Sequence, residues 1–182
     1  MKHPSSRQLF AYWDRQRGSA RAPDRNEIEP GAIRELLGDS FVLGYDRTTG
    51  LPFRVAGTRV CALFGRDLKG CGFAGLFAET SRREIEDVVG AVAEETVAVI
   101  AGVSAVTADG TPAHLELLLL PFAARAHTPL SLTGLLAPLY GAPGLLGELR
   151  LNSWRTIAQT RRPRALRKWT AARGLTVYEG LR

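Results

Sequence analysis

Three apolar runs follow one another in the second half of the chain: VIAGVSAVTA (Val99 to Ala108), AHLELLLLPF (Ala113 to Phe122) and LSLTGLLAPL (Leu130 to Leu139). Each has strand length, is rich in aliphatic and β-branched residues, and is bounded by turn residues. Asp109-Gly110 lies between the first two, a pair that tolerates the left-handed backbone of a tight hairpin turn. Strands joined this closely pair as antiparallel neighbours, because parallel pairing needs a crossover of a dozen or more residues. A meander of this kind must bury an apolar face against something, and the rest of the chain has to supply the cover.

Upstream, SFVLGYD (Ser40 to Asp46) and FRVAG (Phe53 to Gly57) flank the turn RTTGLP and read as a second hairpin. Residues 58 to 77 are short apolar clusters broken by glycine, which predicts helical turns rather than one long helix. Ser81 with Glu84 has the spacing of a capping box, and Ile85, Val88, Val89, Val92 and Thr96 recur at helical spacing to about Val97. Before the sheet, Ser6 caps a short helix ending at Gly18, with Leu9, Phe10 and Trp13 on one side, and Pro30 opens a second that stops at Gly38. The expected fold is α+β. It has a five-stranded antiparallel sheet with helices on one face, an N-terminal helical extension (1–38), a body (39–150) and a basic C-terminal tail (151–182).

The chain of 182 residues is long enough to bury a core without metal or disulfide staples. Its formal charge of +6 is unevenly placed, because nine Lys/Arg lie between Arg150 and Arg182 against the single acid Glu179. The body is therefore slightly acidic, and the basic balance belongs to the tail. Cys61 and Cys71 have neither C-x-x-C spacing nor a companion histidine, so no zinc site or disulfide framework is indicated. The start of the chain lacks the apolar core of a secretory signal. The longest uncharged stretch, Thr128 to Gly147, holds three prolines and four glycines, unlike a membrane-spanning helix. A cytoplasmic location is expected.

GRDLKGCGFAGLF (Gly65 to Phe77) contains a literal G-x-G-x-x-G at Gly70, Gly72 and Gly75. In a dinucleotide fold this motif follows a strand and opens a helix, so that pyrophosphate meets a helix N-terminus. Here the polar stretch GRDLK precedes it, and short apolar turns follow. The near-match to a phosphate loop starting at Gly65 has Cys71 and Gly72 where Lys and Ser/Thr should stand. These glycines are read as bends beside an apolar pocket.

Taken in order, Tyr12-Trp13, Pro23-Asp24-Arg25, Arg54 with Ala56-Gly57-Thr58, Phe64-Gly65 with Leu68-Lys69-Gly70, and Leu117 to Pro121 resemble the single-domain PAS-fold proteins of bacterial signalling and motility. The resemblance covers about residues 8 to 150. It implies a sensory or interaction module in which sheet and helices enclose a small apolar pocket, with Phe64, Leu68, Phe73, Leu76, Phe77, Val89 and Leu118 as pocket candidates beside Arg54. It also argues against two cofactors. The helix from Ser81 to Val97 holds no histidine to ligate haem, and Gly65-Arg66-Asp67 is followed by Leu68 rather than the cysteine of flavin-adduct photosensors. Another flavin geometry or a small metabolite stays open.

No catalytic constellation emerges. His3, His114 and His127 stand apart in sequence, Ser104, Thr107 and Ser131 lack elbow or oxyanion signals, and the adjacent Glu94 and Glu95 point apart on a helix. Arg54, between apolar Phe53 and Val55, is either an anion-facing guanidinium sharing its surroundings with Arg25 and Arg59, or a structural partner of Asp24 or Asp67. Leu9, Tyr12 and Trp13 are candidates for a homodimer or partner contact. Arg161, Arg162, Arg164, Arg167 and Lys168 mark a tail that reads either as a solvated extension or as a basic amphipathic helix starting near Pro163. The first reading of function is a non-enzymatic regulatory module binding a small ligand, a signalling partner, or both. The alternative is a dimeric adaptor whose tail docks on nucleic acid, anionic membrane or an acidic partner.

Overall fold

In the computed structural model, residues 1–157 are described together with two short strands, Arg167–Thr170 and Thr176–Glu179. Helix α1 (Pro4–Arg17) leads through short 3₁₀ turns at Arg25–Glu27 and Pro30–Leu36 to strands β1 (Ser40–Gly44) and β2 (Phe53–Ala56). Helix α2 (Thr58–Phe64), a 3₁₀ turn at Ala74–Leu76 and helix α3 (Glu79–Glu95) follow. The meander is then β3 (Ala98–Val106), β4 (Pro112–Pro121) and β5 (Ser131–Pro138).

A sixth strand, β6 (Arg150–Ile157), pairs antiparallel with β3, giving one sheet in the order β2-β1-β5-β4-β3-β6. It begins where the sequence places the end of the body. As an edge strand it is exposed along most of its length, so RLNSWRTI carries no apolar alternation to announce it. The strands Arg167–Thr170 (β7) and Thr176–Glu179 (β8) pair antiparallel. Arg167, Lys168 and Trp169 are thus in a strand, not the helix considered from the sequence, consistent with the β-formers Trp169, Thr170, Thr176, Val177 and Tyr178. Arg161, Arg162 and Arg164 lie outside the described residues.

The sheet is covered on both faces. On the inner face, α2, the Ala74–Leu76 turn and α3 close over a core that includes Phe41, Leu43, Phe53, Leu68, Phe73, Phe77, Ile85, Val89, Leu115 and Leu117. On the outer face, α1 and the Pro30–Leu36 turn bring Leu9, Tyr12, Trp13, Ile33 and Leu36 against Ile100, Leu118, Leu120 and Leu135. Strand β4 is buried between the two layers, which is why Leu117 to Leu120 is an unbroken apolar run instead of an alternation.

Two caps differ from expectation. His3, not Ser6, caps α1, its Nδ1 accepting from the Ser5 N–H at 3.2 Å. Helix α3 starts at Glu79, so Ser81 sits within its first turn, and the Ser81 hydroxyl accepts from the Leu151 N–H at 3.2 Å instead, tying α3 to β6.

The approach to α1 is anchored by a buried acid on β4. Glu116 accepts from the Lys2 N–H at 2.6 Å and the His3 N–H at 2.9 Å. Burial by itself would raise its pKa, but the two backbone donors hold the carboxyl below its ordinary value. Glu116→Gln turns one acceptor into a donor facing an N–H and is expected to cost about 1–3 kcal/mol. Because the folded pKa is depressed, the carboxylate's contribution is complete above the unfolded value of about 4.3 and lost as pH falls through the folded one. Thermal melts should therefore show a constant gap between wild type and variant from neutral to mildly acidic pH, closing only at lower pH.

Candidate functional site

The residues singled out as an inner pocket form packed core. Phe73 lies 5.5 Å from Phe41, 5.6 Å from Phe53 and 5.3 Å from Phe77, ring centre to ring centre. Leu68, Leu76 and Val89 are buried in the same cluster, with Phe64 half-buried against it. Leu118 does not join them, because the two-residue period of β4 turns it to the outer face with Trp13 and Leu135. Leu9, Tyr12 and Trp13 are likewise buried within the protomer, so they present no free surface to a second copy.

The glycine motif serves as an extra pairing segment for the edge strand. Gly70, at φ 80°, donates its N–H to the Phe53 carbonyl at 2.8 Å, and Phe53 donates in turn to Cys71 at 2.9 Å. Cys71 donates to Leu68 and Phe73 to Leu51, so the N–H groups of Gly70, Cys71 and Phe73 are engaged within the protein.

A concavity opens instead on the outer face, over β1, β2 and the start of β5, where α1 does not reach. It has two neighbouring lobes that share Arg25 and Phe122 as wall. The larger lobe, of about 500 Å³, has Val42, Val55 and Thr133 on the sheet side and Ile28, Ile33 and Leu37 opposite. The smaller, of about 390 Å³, is bounded by Gly44, Arg54, Arg125, Pro129, Leu130 and Ser131. Both volumes lie within the range of about 300–1,000 Å³ usual for small-molecule sites.

Local irregularity in the strands builds this face. In the β1–β2 pairing Val42 faces Val55 and Leu43 faces Phe53, leaving Arg54 as the extra residue of a bulge. Phe53 points into the core, whereas Arg54 and Val55 both line the outer cleft. The Arg54 guanidinium rests over Gly44, where a Cβ would stand 2.7 Å from its Nε.

The charged groups divide into paired and unpaired. Arg125 holds Asp24 through two hydrogen bonds, one of 2.6 Å, and this guanidinium, together with the Asn26 N–H, keeps the Asp24 carboxyl below the usual carboxylate range. Arg59 pairs with Asp39 at 2.6 Å and donates to the Glu35 carbonyl, so it does not share the surroundings of Arg54. Asp67 accepts from the Lys69 N–H. Among the described residues, neither Arg54 nor Arg25 has an ion-pair or side-chain hydrogen-bond partner, and both face the smaller lobe.

The other chemically notable groups lie elsewhere. The Tyr45 hydroxyl donates to Glu94 on α3, and burial together with that carboxylate raises the tyrosine's pKa. Ser104 donates to Asn152 at 3.1 Å, while Thr107 is held in the β3–β4 turn by Asp109 and Thr111. No group of three His, Cys, Asp or Glu among the described residues could hold a metal ion, and no helix among them is long and apolar enough to cross a membrane.

Comparison with known proteins settles the family. A family model described as PAS domain matches residues 1–137, most of the chain. The chain belongs to the PAS-domain family. Solved structures similar to this PAS protein include an RNA-binding Light-Oxygen-Voltage receptor, at 18% identity and TM-score 0.47, covering 64% of this chain and 35% of the receptor. The PAS domain of a Colwellia psychrerythraea protein is similar at 14% identity and TM-score 0.43, covering 60% of this chain and 97% of that one. The PAS domain of Bordetella pertussis BvgS is similar at 15% identity and TM-score 0.44, covering 60% and 85%. This chain thus spans about a third of the receptor's length. No curated protein matches the sequence. PAS domains are in general sensory modules of signalling proteins.

Sequence reasoning placed the PAS pocket inside and missed the outer cleft. The sequence carried no signal of it: Phe53-Arg54-Val55 alternates apolar and polar as a regular strand does, and the bulge that brings both Arg54 and Val55 to the cleft is set by the pairing with β1.

Proposed function

We propose that this protein is a non-enzymatic, cytoplasmic PAS-type sensory and regulatory module that takes a small ligand in its outer cleft. The observation that carries this reading is the composition of the cleft wall. One side is the sheet, through Val42 and Val55, and the other is the N-terminal segment, through Arg25, Ile28, Ile33 and Leu37. An occupant touching both sides would add contacts between the segment and the sheet, so occupancy would be sensed as a change in how firmly the N-terminal segment is held. That change is what a homodimer partner or a signalling protein would read.

The test is a thermal-shift survey of small organic compounds on wild type and on Val42→Trp, whose indole fills the larger lobe. At a hundredfold excess over Kd a ligand adds about 2.7 kcal/mol, or about 5–10 °C in a chain of this size. Compounds that raise the wild-type midpoint should lose their effect on Val42→Trp. Hits that persist undiminished on the variant would contradict the placement, and a survey without hits would contradict ligand binding by the cleft.

A further inference from the structure

Resting on that reading, we propose that the cleft's ligand is a free amphipathic carboxylate, with its apolar chain or ring in the larger lobe and its carboxylate between Arg25 and Arg54. The lobes lie in sequence along the same strands. Val42 and its β5 neighbour Thr133 line the larger lobe, while Gly44 and its neighbour Ser131, two residues further along, line the smaller. The step between them is about 7 Å at the rise of an antiparallel strand, so one molecule with an apolar body and a polar end spans both.

The two ends differ in chemistry. The larger lobe presents half-exposed apolar side chains, with Val55 52% and Leu37 39% accessible, an unusual share for residues of this type. The smaller presents two guanidinium groups that lack a partner among the described residues, and a third, Arg125, already joined to Asp24. This concentration of positive charge sits on a body whose net charge is slightly negative, so it is a local feature of the cleft.

The acceptor that suits this end is a planar monoanion. A guanidinium matches a carboxylate with two parallel N–H donors, and the bulge places the Arg54 guanidinium over Gly44, beside the smaller lobe. Pro129, Leu130 and Phe122 make the surroundings partly apolar, which penalises the heavier desolvation of a phosphate dianion. The chain's own C-terminal tail is not a suitable occupant, because its excess of arginine would be repelled by the same charges.

The experiment measures binding of decanoate and decanol, below the concentration at which decanoate forms micelles, to the full chain and to Arg25→Ala, Arg54→Ala and Val42→Trp. Decanoate should bind about tenfold or more tightly than decanol, as expected for a charge-assisted, two-donor contact, and that preference should shrink with added salt. Arg25→Ala and Arg54→Ala should each remove most of the preference, lowering the affinity for decanoate far more than that for decanol, and Val42→Trp should weaken both ligands. Equal affinities, or a preference that survives both arginine substitutions, would overturn the carboxylate assignment while leaving cleft binding in place. Decanol binding untouched by Val42→Trp would overturn the cleft reading itself. Binding to phosphatidylglycerol vesicles that depends on Arg54, without binding of monomeric decanoate, would overturn the inference in favour of a bilayer surface.

Discussion

Phe73→Ala is expected to lower the thermal midpoint by about 10 °C or more. Phe73 is fully buried at the centre of an aromatic group, in ring contact with Phe41, Phe53 and Phe77. Truncation of a buried phenylalanine costs about 3–5 kcal/mol through lost transfer energy and the cavity left behind, and in a chain of this length each kcal/mol is worth about 2–4 °C. The neighbouring rings belong to β1, β2 and the turn before α3, so relaxation into the void would have to move three elements together. The same substitution separates a packed core from a ligand chamber. Were the inner space an open pocket lined by Phe73, shortening the side chain would enlarge the pocket and change the midpoint by only a few degrees. A calorimetric melt of the two proteins decides between them.

Trp13→Ala is expected to cost about as much, for a different reason. The indole is completely buried under α1, stacks on Phe10 at 6.0 Å, lies beneath the Arg17 guanidinium, and donates its N–H to the Pro121 carbonyl at 2.9 Å. Its removal opens a cavity against Leu118 and Leu120 and leaves a buried carbonyl without its donor, together about 3–5 kcal/mol. The loss should be independent of protein concentration, because Trp13 packs within one protomer. A midpoint that falls only in dilute samples would mean that α1 packs across a dimer instead.

How legible these features were in the sequence depended on how local their physics is. The hairpins announced themselves through Asp109-Gly110 and the turn RTTGLP, whose residues specify a reversal irrespective of what packs on it. Helix α3 was visible in the spacing of Ile85, Val88, Val89 and Val92, since one buried face imposes that period. Strand β6 was not visible, because an edge strand exposed along RLNSWRTI needs no apolar residues to hold its place; the β3 backbone holds it. The two-sided burial of the sheet was in principle readable from Leu117 to Leu120, where the lack of alternation requires cover on both faces. Taken that way, it would have assigned Leu9 and Trp13 to the outer core from the start.

The candidate site was less legible than the fold. Arg54 stood out as a charge between apolar neighbours, and Arg25 as a possible companion, but the choice between pairing and ligand binding depended on which acids each arginine reaches. That is a tertiary fact: Asp24 goes to Arg125, 101 positions away in the chain, and Asp39 to Arg59. The glycines of GRDLKGCGFAGLF were ambiguous for the same reason, since the Gly70 N–H serves Phe53 across a strand edge that no short motif reveals.

The central claim is that binding takes place on the outer face, between the sheet and the N-terminal segment, and not in the aromatic core. Titration of decanoate into isotopically labelled protein, followed by two-dimensional amide NMR, locates the ligand directly. Shifts should concentrate at Val42, Gly44, Arg54, Val55 and Thr133 and at Ile28 and Ile33 opposite, with Phe73, Phe77 and Val89 little changed. Shifts centred on Phe73, Phe77 and Val89, with the outer residues unmoved, would contradict it.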